Sequence, residues 1–137
     1  MRIVLDTNVL YDRAAVMSIS DDPRPKILPA VAFAERARQR QRDFDEPPAQ
    51  LRAWLDDLRI HVEDFGPVQA ERIAARVGDE RVWARHARDA MIAGHVEEMD
   101  ELWTANARDF VAVGVDPRHI VDITGPSIES VFMRHDL

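Results

Sequence analysis

Four acidic residues stand where a carboxylate could do chemistry. Asp6 follows the apolar run Ile3-Val4-Leu5, and Glu35 follows the compact apolar residues 30–34. Asp89 shares a stripe with Ile92, Ala93 and Val96, spaced by three and four residues. Asp109 comes after Leu102-Trp103-Thr104 and a polar turn. Brought together, such groups offer hard oxygen ligands, which suit Mg2+ or Mn2+ and do not suit zinc without His or Cys. A divalent ion held this way lowers the pKa of a bound water and stabilises charge during in-line attack on phosphate. Without cations, four carboxylates repel one another. Removing one acid is therefore expected to leave the metal-free protein as stable as before, or more so. The chain has 25 Asp and Glu among 137 residues, so context and not residue type selects these four.

Each acid also has an ordinary reading. Asp6 and Asp109 are candidate helix caps. Glu35 can pair with an arginine along a solvated helix, because Val31, Glu35, Arg38 and Arg42 share a face. Asp89 can pair with Arg85 or Arg88, or face a helix dipole. His86 and His95 are assigned to no metal, since neither is read as sharing a face with Asp89 at ligand spacing.

The elements that must position these groups follow from the hydrophobic pattern. Residues 2–5 read as a strand buried on both faces, as in the middle of a parallel sheet. A carboxylate at the carboxyl end of such a strand sits where open α/β sheets bind ligands. A helix is expected from about Asn8. Residues 13–27 read as a surface loop, broken by Pro23 and Pro25. Residues 28–43 read as a helix with Pro29 in its first turn. Its arginines Arg36, Arg38, Arg40 and Arg42 alternate, so they split between two sides. After Pro47-Pro48, residues Leu51, Trp54, Leu55 and Leu58 mark the core face of another helix.

Residues 59–63 alternate like a strand. A helix then runs from Gly66-Pro67 to Gly78, with Ala70, Ile73, Ala74 and Val77 on one face. Residues 84–99 form a helix apolar around much of its circumference, and so a buried one. Strands are expected at 102–104 and 119–123. Gly125-Pro126 ends the second, and residues 127–134 suggest a short helix with Ile128, Val131 and Phe132 inward. Strands alternating with helices predict a parallel α/β sheet covered by helices, in a single domain over residues 1–137.

Composition bounds the rest. Hydrophobic residues make up 46% of the chain, which fits a globular protein and argues against disorder. There is no cysteine, hence no disulfide or cysteine–zinc site. No apolar run approaches a membrane span, and the opening residues predict no signal peptide, so a cytoplasmic protein is expected. A net charge of −7 argues against non-specific coating of nucleic acid, but not against a nuclease whose acids hold metal.

The chain resembles the PIN-domain ribonucleases, in particular the VapC-like toxins. Ile3-Val4-Leu5-Asp6-Thr7-Asn8 matches the opening motif of that family. Leu28-Pro29-Ala30-Val31, leading to Ala34-Glu35, is similar to its second motif, and Arg88-Asp89-Ala90-Met91-Ile92-Ala93 to its third. Thr104-Ala105-Asn106-Ala107-Arg108-Asp109-Phe110 is similar to its fourth. The resemblance implies a PIN-like α/β/α sandwich and Mg2+- or Mn2+-dependent hydrolysis of RNA phosphodiester bonds. By that resemblance Asp6, Asp89 and Asp109 hold metal, and Glu35 holds metal or orients water. Thr7, Asn8, Thr104 and Asn106 support these ligands, and Arg38 and Arg42 are candidates for contact with RNA phosphates. A homodimer is implied, with Trp54 and Trp83 as candidate contacts, and so is a VapB-like antitoxin partner. The chain departs from the pattern at Asn106, where some members carry an acid, and in the basic run after Glu35.

Other readings remain. A phosphatase with a nucleophilic aspartate would carry a second acid two residues after Asp6, where Asn8 stands. A receiver domain would carry a lysine near its end, whereas the only lysine is Lys26. An RNA-processing PIN nuclease without an antitoxin, or a PIN-like module kept for binding alone, fits the same residues.

Overall fold

The computed structural model describes residues 1–124. Five strands form one all-parallel sheet: β1 (Ile3–Leu5), β2 (Lys26–Pro29), β3 (Ile60–Glu63), β4 (Glu101–Thr104) and β5 (Ile120–Asp122). Their order is β3-β2-β1-β4-β5. Among the described residues, six α-helices flank the sheet: α1 (Arg13–Asp21), α2 (Ala30–Phe44), α3 (Pro48–Asp57), α4 (Pro67–Arg76), α5 (Glu80–Ala93) and α6 (Ala107–Ala112). The chain is thus the expected α/β fold with a parallel sheet covered by helices. Among the described residues, no helix is long and apolar enough to cross a membrane.

β1 lies at the centre, and Ile3, Val4 and Leu5 are fully buried. Burial of each such side chain contributes about 1.5–3 kcal/mol relative to exposure. From β1 the chain winds outward through β2 to β3. It then returns through α4 and α5 to place β4 on the other side of β1. The strand order therefore reverses between β1 and β4. The crevice beyond the carboxyl ends of two such strands is where open α/β sheets take ligands.

The helix expected over residues 84–99 runs instead from Glu80 to Ala93, so Val96 lies beyond it. Other stretches also differ from expectation. Residues 13–21, read as loop, form α1, whose first turn is capped by the Asp12 carboxylate accepting from Ala15 N–H at 2.9 Å. Ala15 and Ile19, four residues apart, are its buried positions. Residues 26–29, read as loop and helix start, form β2 between β1 and β3. Pro29 is the last residue of the strand, opposite Glu63 of β3 and beyond the residues that pair with β1. Pairing on both sides outweighs the weak local signal of a four-residue strand containing a lysine. The helix near Asn8 is a 3-10 turn, Thr7–Tyr11.

In α3, Leu51 and Leu55 are buried and Leu58 partly so, whereas Trp54 faces outward beside Leu10, Arg36 and Arg40. Trp83 is exposed as well. In α4 only Ile73 is buried; Ala70 and Ala74 are exposed. The turn at Gly125-Pro126 and the short helix expected over residues 127–134 lie outside the described residues.

A charged knot ties the start of β1 to the end of β3 and to the chain after α5. Asp100, nearly fully buried, accepts from the backbone N–H groups of Arg2 and Glu97 and from the Arg2 guanidinium. Arg2 also pairs with Glu63 at 2.7 Å, and Glu63 accepts from His95 Nδ1 at 2.7 Å. Burial pushes the His95 imidazole below its ordinary pKa, against the pull of Glu63, so the ring is neutral. Burial alone would raise Glu63 and Asp100. Hydrogen bonds from His95 and Arg2 outweigh it for Glu63, and those from Arg2 and the Glu97 N–H outweigh it for Asp100, so both acids lie below their ordinary values.

Candidate functional site

Asp6 stands at the crevice between β1 and β4, with no exposed surface. Its Oδ1 accepts from the Thr7 N–H at 2.7 Å, so the carboxylate does cap the 3-10 turn. Its Oδ2 accepts from Thr104 Oγ1–H at 2.8 Å, at the end of β4. Asn8 joins the turns after the two strands, its Oδ1 accepting from the Ala105 N–H at 3.1 Å. The Asn106 N–H donates to Thr104 Oγ1 at 2.9 Å. Capping and function are therefore compatible for Asp6: the cap uses one lone pair of Oδ1 and fixes the orientation of the whole carboxylate.

One guanidinium gathers three of the four expected acids. Arg88 reaches Asp6 Oδ1 at 2.8 Å, Glu35 Oε1 at 2.6 Å and Asp89 Oδ1 at 2.7 Å, each through a different nitrogen. The nitrogen that reaches Asp6 also donates to Thr7 Oγ1 at 3.0 Å. Burial works against the charged form of Arg88. The charge of Asp6, with the hydrogen bonds to Glu35 and Asp6, outweighs burial and holds the group more firmly protonated than an ordinary arginine. Three carboxylates from β1, α2 and α5 thus converge on one cation position. Arg88 was expected only as one local partner for Asp89; its reach to Asp6 and Glu35, 82 and 53 residues away in sequence, needs the fold.

Asp109 lies near Asp89 and His86. The ligand atoms of His86, Asp89 and Asp109 lie within 4.8 Å of one another. His86 Nδ1 is 3.6 Å from Asp89 Oδ2, the oxygen that Arg88 does not use. His86, three residues before Asp89, thus lies on the same side of α5, contrary to the expectation that it shares no face with Asp89; that spacing is visible in the sequence. The helix is kinked at His86, whose backbone is non-helical with φ −127° and ψ 27°. Asp109 is not the cap of α6. Asn106 occupies the N-cap position, without a side-chain capping bond, and Asp109 lies in the first turn. Among the expected acids, Asp109 thus lies near Asp89 and His86.

The remaining expected residues divide. Thr7 and Thr104 touch Asp6 directly, Asn8 ties the two turns together, and Asn106 contributes its backbone N–H to Thr104 Oγ1. Arg38 is exposed on α2 beyond Glu35, and Arg42 pairs with Asp43 on the surface. Neither is part of the acid cluster.

Compared with known proteins, the chain matches no family model and no curated relative.

Proposed function

We propose that this protein is a divalent-metal-dependent endoribonuclease, the toxin of a VapBC-type pair. The observation that carries this reading is that Asp6, Glu35 and Asp89 meet at one guanidinium beyond the carboxyl end of β1, with Asp109 beside Asp89. The motif resemblance, in order along the chain, supplies the substrate class. The donor set fits Mg2+ or Mn2+: it is oxygen-rich, and it already draws a cation into its middle. Asp6, Glu35, Asp89 and Asp109 would hold the metal, with His86 at its edge. When bound, the ion supplies Lewis-acid stabilisation of phosphate charge and an acidified water.

The chain's own groups prepare that chemistry. Thr7 and Thr104 hold both oxygens of Asp6 in one orientation. Asn8 keeps the turn after β1 registered with the turn after β4. Glu35, partly exposed, stands where it can take a proton from water entering from solvent. Arg38 and Arg42, exposed on the same helix, would meet the phosphates of a bound strand.

A second reading draws on Arg88. If its guanidinium is a permanent fixture, the cluster is a structural ion-pair knot and the domain binds without cutting. Purified protein with a structured RNA and Mg2+ or Mn2+ separates the readings. Cleavage that EDTA abolishes and added metal restores is the expected result; intact RNA under both conditions favours the silent module. A small upstream reading frame encoding a DNA-binding protein would mark the toxin, as against an RNA-processing enzyme.

The imidazole makes a sharper prediction. His86→Ala should weaken Mn2+ binding about tenfold and Mg2+ binding less, because nitrogen ligands favour the transition metal. Equal affinities in wild type and variant, measured by calorimetry, would remove His86 from the centre.

A further inference from the structure

We propose that Arg88 is a displaceable counter-cation, occupying the position among Asp6, Glu35 and Asp89 that a divalent metal must take. This rests on the metal-centre reading above and adds to it a competition within the chain. The three oxygens held by Arg88 are Asp6 Oδ1, Glu35 Oε1 and Asp89 Oδ1, at 2.6–2.8 Å. Each of these acids commits one and only one oxygen to the guanidinium. A metal drawing on the same three oxygens cannot share them with it, because both cations need the same lone pairs and repel each other.

The surroundings separate Arg88 from the structural arginines of this fold. Arg76 donates to the backbone carbonyls of Ala93 and Val96, which no metal would replace. Arg2 is bound to Asp100, Glu63 and the His95 carbonyl. Arg88 alone of these three holds only side-chain partners, and each of its acceptors is a candidate metal ligand or the adjacent Thr7 hydroxyl. Its side chain is 36% exposed, so water reaches it. A long side chain at that exposure can leave by rotating about its own bonds while Asp89, the next residue, stays in place on α5. The metal-free protein thereby avoids the repulsion that three converging carboxylates would otherwise suffer. Metal binding then carries the cost of releasing a guanidinium held by three charged partners. The enzyme is consequently less responsive to metal than its acids alone would make it, and becomes active only where metal outcompetes the arginine.

The test is Mn2+ calorimetry on wild type and Arg88→Met, which keeps length and removes charge, with Arg88→Lys as an intermediate. The variant should bind Mn2+ about ten- to a hundredfold more tightly, the scale of the charged hydrogen bonds removed. Its metal-free form should melt lower and recover more on adding Mn2+ than wild type does. Wild-type protein labelled with 15N provides a second readout that needs no variant to fold. The Arg88 Nε–H signal, protected by Glu35 in the metal-free state, should lose that protection in step with saturation by diamagnetic Mg2+. Equal or weaker Mn2+ binding by Arg88→Met overturns the proposal, as does an Nε–H signal that stays protected while Mg2+ saturates the site. Metal binding to neither protein would instead defeat the metal-centre reading, and this inference with it.

Discussion

Asp6→Asn is expected to abolish metal-dependent RNA cleavage and also to destabilise the metal-free protein by about 2 kcal/mol, the range for losing a hydrogen bond to a charged group. For a chain of this size that is a fall of about 6 °C in melting temperature. The amide retains one oxygen. It cannot at once accept from the Thr7 N–H, the Thr104 hydroxyl and the Arg88 guanidinium, and its NH2 is turned toward one of these donors. The sign reverses the expectation drawn from four acids alone, where losing one relieves repulsion. The guanidinium has already removed that repulsion, so substitution breaks a compensated set. Thermal melts in EDTA beside an RNA cleavage assay check both parts. A variant that melts with wild type in EDTA would contradict the ion-pair account of Arg88. A variant that cuts RNA at the wild-type rate would move the active site elsewhere.

Asp100→Ala should have the largest effect on stability, about 3–4 kcal/mol, because it leaves part of a buried charge network without its partner. The substitution removes the acceptor for the Arg2 and Glu97 backbone N–H groups and for the Arg2 guanidinium, at a site only 2% exposed. The same network fixes the response to acid. His95 has a folded pKa below its ordinary 6.5, so the unfolded chain takes up a proton first and stability declines as pH falls below about that value. Glu63 and Asp100 are lowered from 4.5 and 3.8, so their contributions are present above those values and are lost as pH falls through their lower folded values. All three act in one direction. Urea unfolding from pH 8 to pH 3 should show a plateau above about pH 7 and a progressive loss below it. In Asp100→Ala the lowest part of that loss should be shallower. A wild-type profile that rises toward acid would contradict the neutral, buried imidazole.

The parts of the fold legible in the sequence were those with a strong local pattern. The strand at Ile3-Val4-Leu5 is continuous and apolar, and α5 carries a buried stripe around Asp89 that appears as a buried stripe in the fold. β2 was not legible, because Lys26 and Pro29 disguise a strand that pairing on both sides creates. α1 was missed although Asp12 followed by Arg13-Ala14-Ala15 is a capping signal; Pro23 and Pro25 beyond it drew the whole stretch toward loop. The four acids could be picked out because each interrupts or follows an apolar run. Their common cation could not be read the same way. Arg88 reads as one more charge beside Asp89 until the parallel sheet brings β1 and α2 alongside α5. The shared side of His86 and Asp89, by contrast, is visible in their three-residue spacing.

Asp89 is the acid shared by both halves of the cluster, Oδ1 toward Arg88 and Oδ2 toward His86. Mn2+ titration by calorimetry of wild type and Asp89→Asn therefore tests the metal centre most directly. The account predicts saturable binding by wild type and a loss of at least about tenfold in affinity in the variant, with the variant still folded by circular dichroism. Saturable binding of equal strength in both proteins, or none in wild type, would contradict it.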